Sequence, residues 1–240
     1  MNSARIFLVA AEPSGDVLGR ELAEELQLIK PNVQLFGIGG NEMESIGLSS
    51  EIDISPLSVL GLFEGLKAYP DVVKIADEAA EEIIKAKPDA VVLIDSWGFM
   101  LRVAQRLRKQ APTIRLFKLL GPQVWATRSG RAKTLANSVD HLLAMFEMEV
   151  PYYEPHGLKV TVIGNPALSR TTKGDGEGFR SRHGIDPHQK MLLVLPGSRR
   201  GELKRVAPAL VSAARQIKSC LLYTSPSPRD LSTSRMPSSA

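Results

Sequence analysis

Arg5-Ile6-Phe7-Leu8-Val9-Ala10-Ala11-Glu12-Pro13-Ser14-Gly15-Asp16, continued by Val17 to Lys30 and by Val33 to Ile38, is the stretch that decides the fold. Arg5 to Ala11 is a continuous apolar run of strand length, as expected of a parallel strand covered on both faces, and Pro13-Ser14-Gly15-Asp16 behind it predicts a tight turn. From Val17 to Lys30 the apolar positions Leu18, Leu22, Leu26 and Ile29 recur at helical spacing with Glu21, Glu24 and Glu25 between them, which predicts an amphipathic helix. Pro31 stops it. Val33 to Ile38 is a second strand ending in Gly39-Gly40. Strand, turn, helix, strand is the opening of a doubly wound parallel sheet.

The alternation continues outward from this unit. Helices are predicted over Asp71–Lys87, Phe99–Lys109 and Arg128–Ala136, and strands over Ala90–Asp95, Ile114–Leu120, His141–Phe146 and Val160–Ile163. Residues 1–170 therefore read as an N-terminal Rossmann-like domain. Lys173-Gly174-Asp175-Gly176-Glu177-Gly178 reads as a glycine-rich charged connection into a second domain, which begins within residues 171–219. There, a strand is expected at Met191–Leu195, a loop at Pro196–Gly201 and a helix at Glu202–Lys218. The fold class is α/β, with parallel sheets and a second domain cut short. In residues 220–240 the composition shifts to six Ser and three Pro without helical or strand period. This stretch resembles translated adapter or vector sequence appended to a truncated gene; an ordinary disordered terminus is the other reading.

A hydrophobic share of 43% and a charged share of 23% exclude a disordered or collagen-like chain. No apolar run approaches the ~20 residues that cross a bilayer, and Ile6 to Ala11 is too short for the core of a signal peptide, so a cytoplasmic location is expected. The formal charge of +4 suits phosphate or anionic lipid as well as nucleic acid and selects none of them. Aromatic content of 5% argues against single-strand nucleic-acid binding. Cys220 is the single cysteine, so the chain can build neither a disulfide nor a cysteine metal site. His141, His156, His183 and His188 have no metal-ligand spacing, and no D-x-D pair, P-loop or G-x-S-x-G elbow occurs, so no metal and no cofactor is expected.

The candidate chemistry falls at strand ends. Ser14, Gly15 and Asp16 follow the first strand, where α/β sheets bind ligands; Ser14 or Asp16 can hold a substrate hydroxyl or phosphate, or cap the helix that follows. Asp95 ends an apolar strand, where a carboxylate is poorly solvated unless it has a partner or a reaction to serve. It can act as a general base toward an acceptor hydroxyl, or cap the next turn and pair with Arg102. Gly121-Pro122-Gln123-Val124-Trp125-Ala126-Thr127-Arg128 offers the Trp125 indole, which can also simply close the core. Leu195-Pro196-Gly197-Ser198-Arg199-Arg200-Gly201-Glu202 has two glycines and an arginine pair at a helix start, suited to a pyrophosphate, or is a solvated basic loop. Leu57 to Tyr69, with Val59, Leu60, Leu62, Phe63 and Leu66, is more apolar than one helix face requires. It reads as a buried connection or as a surface for acyl chains and the membrane interface.

Taken in order, Ala11-Glu12-Pro13-Ser14-Gly15-Asp16, Ile94-Asp95-Ser96, Gly121-Pro122-Gln123-Val124-Trp125-Ala126, Val162-Ile163-Gly164-Asn165-Pro166 and Leu195 to Glu202 resemble the lipid-A-disaccharide synthase family from Arg5 to about Lys218. The resemblance implies a GT-B-like glycosyltransferase of two facing Rossmann-like domains. It would join UDP-2,3-diacylglucosamine to 2,3-diacylglucosamine 1-phosphate (lipid X), without a metal, in Gram-negative lipid A synthesis. It further implies a peripheral enzyme on the inner face of the inner membrane and a homodimer for the full-length protein. Asp95 matches the family's proposed base, Arg199 the arginine that neutralises the leaving UDP, and Leu57 to Leu66 the region that meets acyl chains. Ser14, Gly15, Asp16, Trp125, Asn165, Ser198 and Glu202 are the further expected substrate contacts. Two departures stand out: Trp97-Gly98 replaces the usual Pro-Asp after Ser96, and Asn165 replaces a histidine. As a fragment lacking most of its donor domain, the chain is expected to be inactive. Another sugar-nucleotide enzyme of the fold, such as a 2-epimerase, and a non-catalytic nucleotide-binding Rossmann domain are the alternatives.

Overall fold

The computed structural model describes residues 3–54, 57, 69–169, 174–197 and 200–222, with 69, 169, 200 and 218–222 described by backbone alone. The chain divides into two compact units, Met1–Thr172 and Lys173–Ala240. In the first, strands β1 (Arg5–Ala10), β2 (Gln34–Ile38), β3 (Ala90–Ile94), β4 (Arg115–Leu119), β5 (His141–Ala144) and β6 (Lys159–Val162) form one sheet. Its order is β2-β1-β3-β4-β5-β6 and every pairing is parallel. The helices are α1 (Pro13–Ile29), α2 (Asn41–Glu44), α3 (Tyr69–Ala86), α4 (Trp97–Gln110), α5 (Arg131–Ala136), α6 (Val150–Tyr153) and α7 (Pro166–Ser169).

The strands are apolar on both faces because both faces are covered. Phe7, Val9, Val91, Leu93 and Leu116 share one core with Ile75, Ala79 and Ile83 of α3 and Met100, Val103 and Leu107 of α4. The alternate positions Leu8, Ala10, Val92, Ile94 and Leu119 form a second core with Leu18 and Ala23 of α1 and Met43 of α2. The chain leaves β1 for β2 on one side and later returns to β3 on the other, so the order reverses between β1 and β3. A crevice at the carboxyl ends of two such strands is where open α/β sheets bind ligands.

Some local expectations are corrected. Helix α1 begins at Pro13, so Pro-Ser-Gly-Asp is its first turn rather than a separate loop; proline fits there because the first helical N–H groups have no partner within the helix. Gly176 to Arg182 forms helix α8 instead of a glycine-rich connection, because the Asp175 carboxylate accepts a hydrogen bond from Gly178 N (2.7 Å) and caps it. Met191–Leu195 is not a strand: it runs as irregular backbone with Leu193 73% and Leu195 76% exposed. A parallel strand needs a neighbour for its N–H and C=O groups, and among the described residues of the second unit none is in a strand. Helix α9 (Arg200–Leu222) extends through Cys220, so the compositional break at 220 falls inside its last turn. The rest of the predicted tail, and the apolar stretch from 58 to 68, lie outside the described residues; Leu57 is buried. No described helix is long and apolar enough to cross a membrane.

Candidate active site

β1 and β3 bring together two residues 81 positions apart. Ser14 Oγ, in the first turn of α1, donates to Asp95 Oδ2, just past β3, at 2.7 Å. Gly15 lies beneath them: a methyl group there would sit 3.5 Å from Asp95 Cβ, at ordinary contact distance. Asp95 is half-buried and Ser14 exposed, so the carboxylate is reachable from the crevice. Arg102 donates to Gly98 O on its own helix at 2.7 Å.

The backbone that carries Asp95 is unusual. Asp95 and Ser96 both have positive φ, at 51° and 29°. Asparagine and aspartate tolerate the left-handed region; serine with ψ 93° is a strained neighbour. Asp95 N donates to Leu119 O (3.0 Å), tying the turn to the end of β4. Trp97, which stands where the resemblance leads one to expect proline, packs against the core, and Arg131 lies over its ring at 5.3 Å.

Asp16 has a structural task other than capping α1. Its buried carboxylate accepts from the backbone N–H groups of Gly40 (2.8 Å), Glu42 (2.9 Å) and Met43 (3.1 Å), so it caps α2. Asn165 likewise has local work: its Oδ1 accepts from Ala167 N at 3.0 Å, at the start of α7. It follows β6, three strands from β3, or about 14 Å along the sheet. Trp125 follows β4 and is 39% exposed, while its neighbour Val124 enters the core, so the indole is available and does not close the core. This loop is held by Tyr153, whose buried hydroxyl donates to Pro122 O (3.1 Å). A methyl group at Gly121 would lie 2.7 Å from the Tyr153 hydroxyl oxygen, which is why glycine stands there.

In the second unit Gly197 has φ 100°, and an added Cβ would press on the Glu202 side chain, which folds back over the loop. Ser198 and Arg199, and Val59, Leu60, Leu62, Phe63 and Leu66, lie outside the described residues. Among the described residues no group of His, Cys, Asp or Glu is arranged to hold a metal.

Sequence reasoning missed Lys118. In β4 its side chain is on the face of Leu116, opposite Phe117 and Leu119, and it is 2% exposed. Nζ donates to Leu93 O (3.3 Å), Leu119 O (3.1 Å) and Asp95 O. Burial pulls the ammonium down from 10.5 to about 7, against the Asp95 and Glu12 carboxylates, which raise it. The signal was a single lysine inside the otherwise apolar run Leu116 to Leu120. A consequence is measurable. Above pH 7 the folded protein has released this proton while the unfolded chain holds it until about 10.5, so the unfolded state binds more protons and stability rises with pH across that window. Urea unfolding from pH 7 to 10 is expected to show a rise of up to about 1.4 kcal/mol per pH unit that Lys118→Met lacks.

Comparison with known proteins places the chain in a family. The family model described as lipid-A-disaccharide synthetase matches residues 6–226. A lipid-A-disaccharide synthase of Rhodospirillum centenum is 43% identical over 210 residues, covering 87% of this chain and 52% of that protein. One of Ruegeria pomeroyi is 42% identical over 214 residues, covering 88% and 53%. The chain thus spans about half the length of the curated relatives it matches. A crystal structure assigned as a UDP-N-acetylglucosamine 2-epimerase from Listeria monocytogenes superimposes with a TM-score of 0.52 at 13% identity, over 70% of this chain and 46% of that one. That likeness concerns the fold, which is of the GT-B type. With a family model matching residues 6–226 and relatives above 40% identity over most of its length, the chain belongs to the lipid-A-disaccharide synthetase family.

Proposed function

We propose that the protein is a glycosyltransferase that joins UDP-2,3-diacylglucosamine to lipid X, giving lipid A disaccharide 1-phosphate and UDP. The observation that carries this reading is the half-buried Asp95 carboxylate, held by Ser14 at the strand-order reversal of a sheet from this family. In the reaction the carboxylate takes the proton of the acceptor hydroxyl as that oxygen attacks the anomeric carbon. The bond from that carbon to the diphosphate breaks, its electron pair leaves with UDP, and the configuration inverts. A general base of this kind needs no metal at the acceptor.

Arg199 and Ser198 beside the start of α9 are assigned to the UDP diphosphate, Trp125 to a face of the substrate, and the segment from Leu57 to Leu66 to the acyl chains. Both substrates carry acyl chains, so the enzyme works as a peripheral protein at the cytoplasmic side of the inner membrane, as a homodimer in full-length form. Donor binding draws on the further length that the relatives possess.

The test is a transfer assay with labelled UDP-2,3-diacylglucosamine and lipid X in mixed micelles, with and without EDTA. It is run on this chain and on the chain fused to the remaining half of the Rhodospirillum centenum relative. Equimolar UDP and labelled disaccharide, unaffected by EDTA, is the expected outcome for the fusion. UDP-sugar epimerised at C2, or nucleotide binding without transfer, would overturn the reading.

A further inference from the structure

Lys118 is the only cation among the described buried residues, and it sits in a face that is otherwise apolar. In the pairing of β3 with β4 it stands opposite Leu93. From there Nζ reaches the carbonyls of Leu93, Asp95 and Leu119, which close the ends of both strands. A lysine ammonium has three N–H donors, and here three carbonyls receive them. A methionine of similar length would fill the same space without burying a charge, so packing does not account for a lysine at this position.

What the three acceptors share is the turn that presents Asp95. The chain leaves β3 through two consecutive non-glycine residues with positive φ, Asp95 at 51° and Ser96 at 29°. Backbone of this kind persists only where its surroundings hold it. The Asp95 carbonyl is one of the groups that would move if the turn relaxed, and it is held by Nζ; the Asp95 N–H is held by Leu119 O, which Nζ also contacts. We propose that Lys118 is a positioning residue: its three hydrogen bonds clamp the Asp95–Ser96 turn and so aim the Asp95 carboxylate into the crevice where Ser14 meets it. The proposal rests on the reading of Asp95 as the base of transfer. Burial pulls the ammonium down to about 7, so all three N–H donors are present below that pH and two remain above it.

The experiment compares Lys118→Met, Lys118→Met/Ser96→Gly and Asp95→Asn in the form of the protein active in the transfer assay, together with a crystal structure of Lys118→Met. Leu119 O keeps the Asp95 N–H as a partner in that variant. Loss of aim by about 1 Å lowers kcat on the order of 10²-fold with KM within about twofold. Glycine at 96 adopts the turn without a clamp, so the double variant is expected to recover at least about tenfold of that loss. The crystal structure is expected to show Asp95 and Ser96 out of the positive-φ region and the Ser14 hydrogen bond broken.

If Lys118→Met fails to fold, Lys118→Leu, which is shorter and has no N–H donor, carries the comparison; parental kcat in it overturns the proposal. So does an unchanged turn in the crystal structure, or a kcat loss that Ser96→Gly does not relieve. Parental turnover by Asp95→Asn overturns the reading of the base instead, and the crystal structure still decides whether Lys118 holds the turn.

Discussion

Asp95→Asn is expected to lower kcat for disaccharide formation on the order of 10³-fold while leaving KM for both substrates within about threefold. The substitution is chosen because the local geometry isolates the proton transfer. Asparagine tolerates the left-handed backbone at φ 51°, so the turn is not strained by the exchange. Its side-chain oxygen can still accept from Ser14 Oγ, the contact that orients the carboxylate. What it cannot do is take a proton from an attacking hydroxyl. A loss confined to kcat therefore assigns the base, whereas Asp95→Ala would remove the contact and the base together. The melting temperature of Asp95→Asn should match the parent within a degree or two, measured in the same preparation used for kinetics. Parental kcat would return Asp95 to a structural role, as the non-catalytic reading of the fold requires.

The legible and illegible parts of this molecule divide along physical lines. Apolar runs and helical spacing marked all six strands of the first sheet and the long helices α1, α3 and α4, since both signals are local and strong. Asp95 was legible as a carboxylate that follows a buried strand. Its partner was only half legible: Ser14 carries a polar group at the right edge, but a bond between residues 81 apart depends on β3 lying beside β1, and no local pattern states strand order. Pro-Ser-Gly-Asp carries turn chemistry and in fact opens α1, because a proline at the first helical position resembles one in a turn. Met191–Leu195 shows the opposite failure: the run has strand composition, but composition cannot supply the neighbouring strand. Lys118 was missed because lysines at strand ends ordinarily reach for water; its burial follows from the layer of helices over that face, and its three acceptors come from the ends of two strands.

Asp16→Ala is expected to destabilise the first unit by about 3–5 kcal/mol, without a selective effect on substrate affinity. Three backbone N–H groups, of Gly40, Glu42 and Met43, end on this one carboxylate, and the residue is buried. Alanine leaves all three without their acceptor in a place that water reaches poorly, and each unpaired group costs on the order of 1–3 kcal/mol before relaxation. The packing allows little relaxation. A methyl group at Gly40 would lie 2.7 Å from Asp16 Oδ2, so the loop is drawn tightly over the carboxylate. Met43, held by the same cap, is fully buried in the second core, against Gly19, Gly37 and Gly39, at each of which an added Cβ would collide with it. Freeing α2 therefore loosens Met43 and the contact between α1 and the sheet, an expected fall in melting temperature of about 10 °C for a unit of this size. Asp16→Asn keeps one acceptor oxygen and loses the charge, and should fall about halfway. Thermal unfolding followed by circular dichroism checks both variants, with KM measured well below the transition. A parental melting temperature with a raised KM would instead show that Asp16 faces substrate, as its place in the motif first suggested.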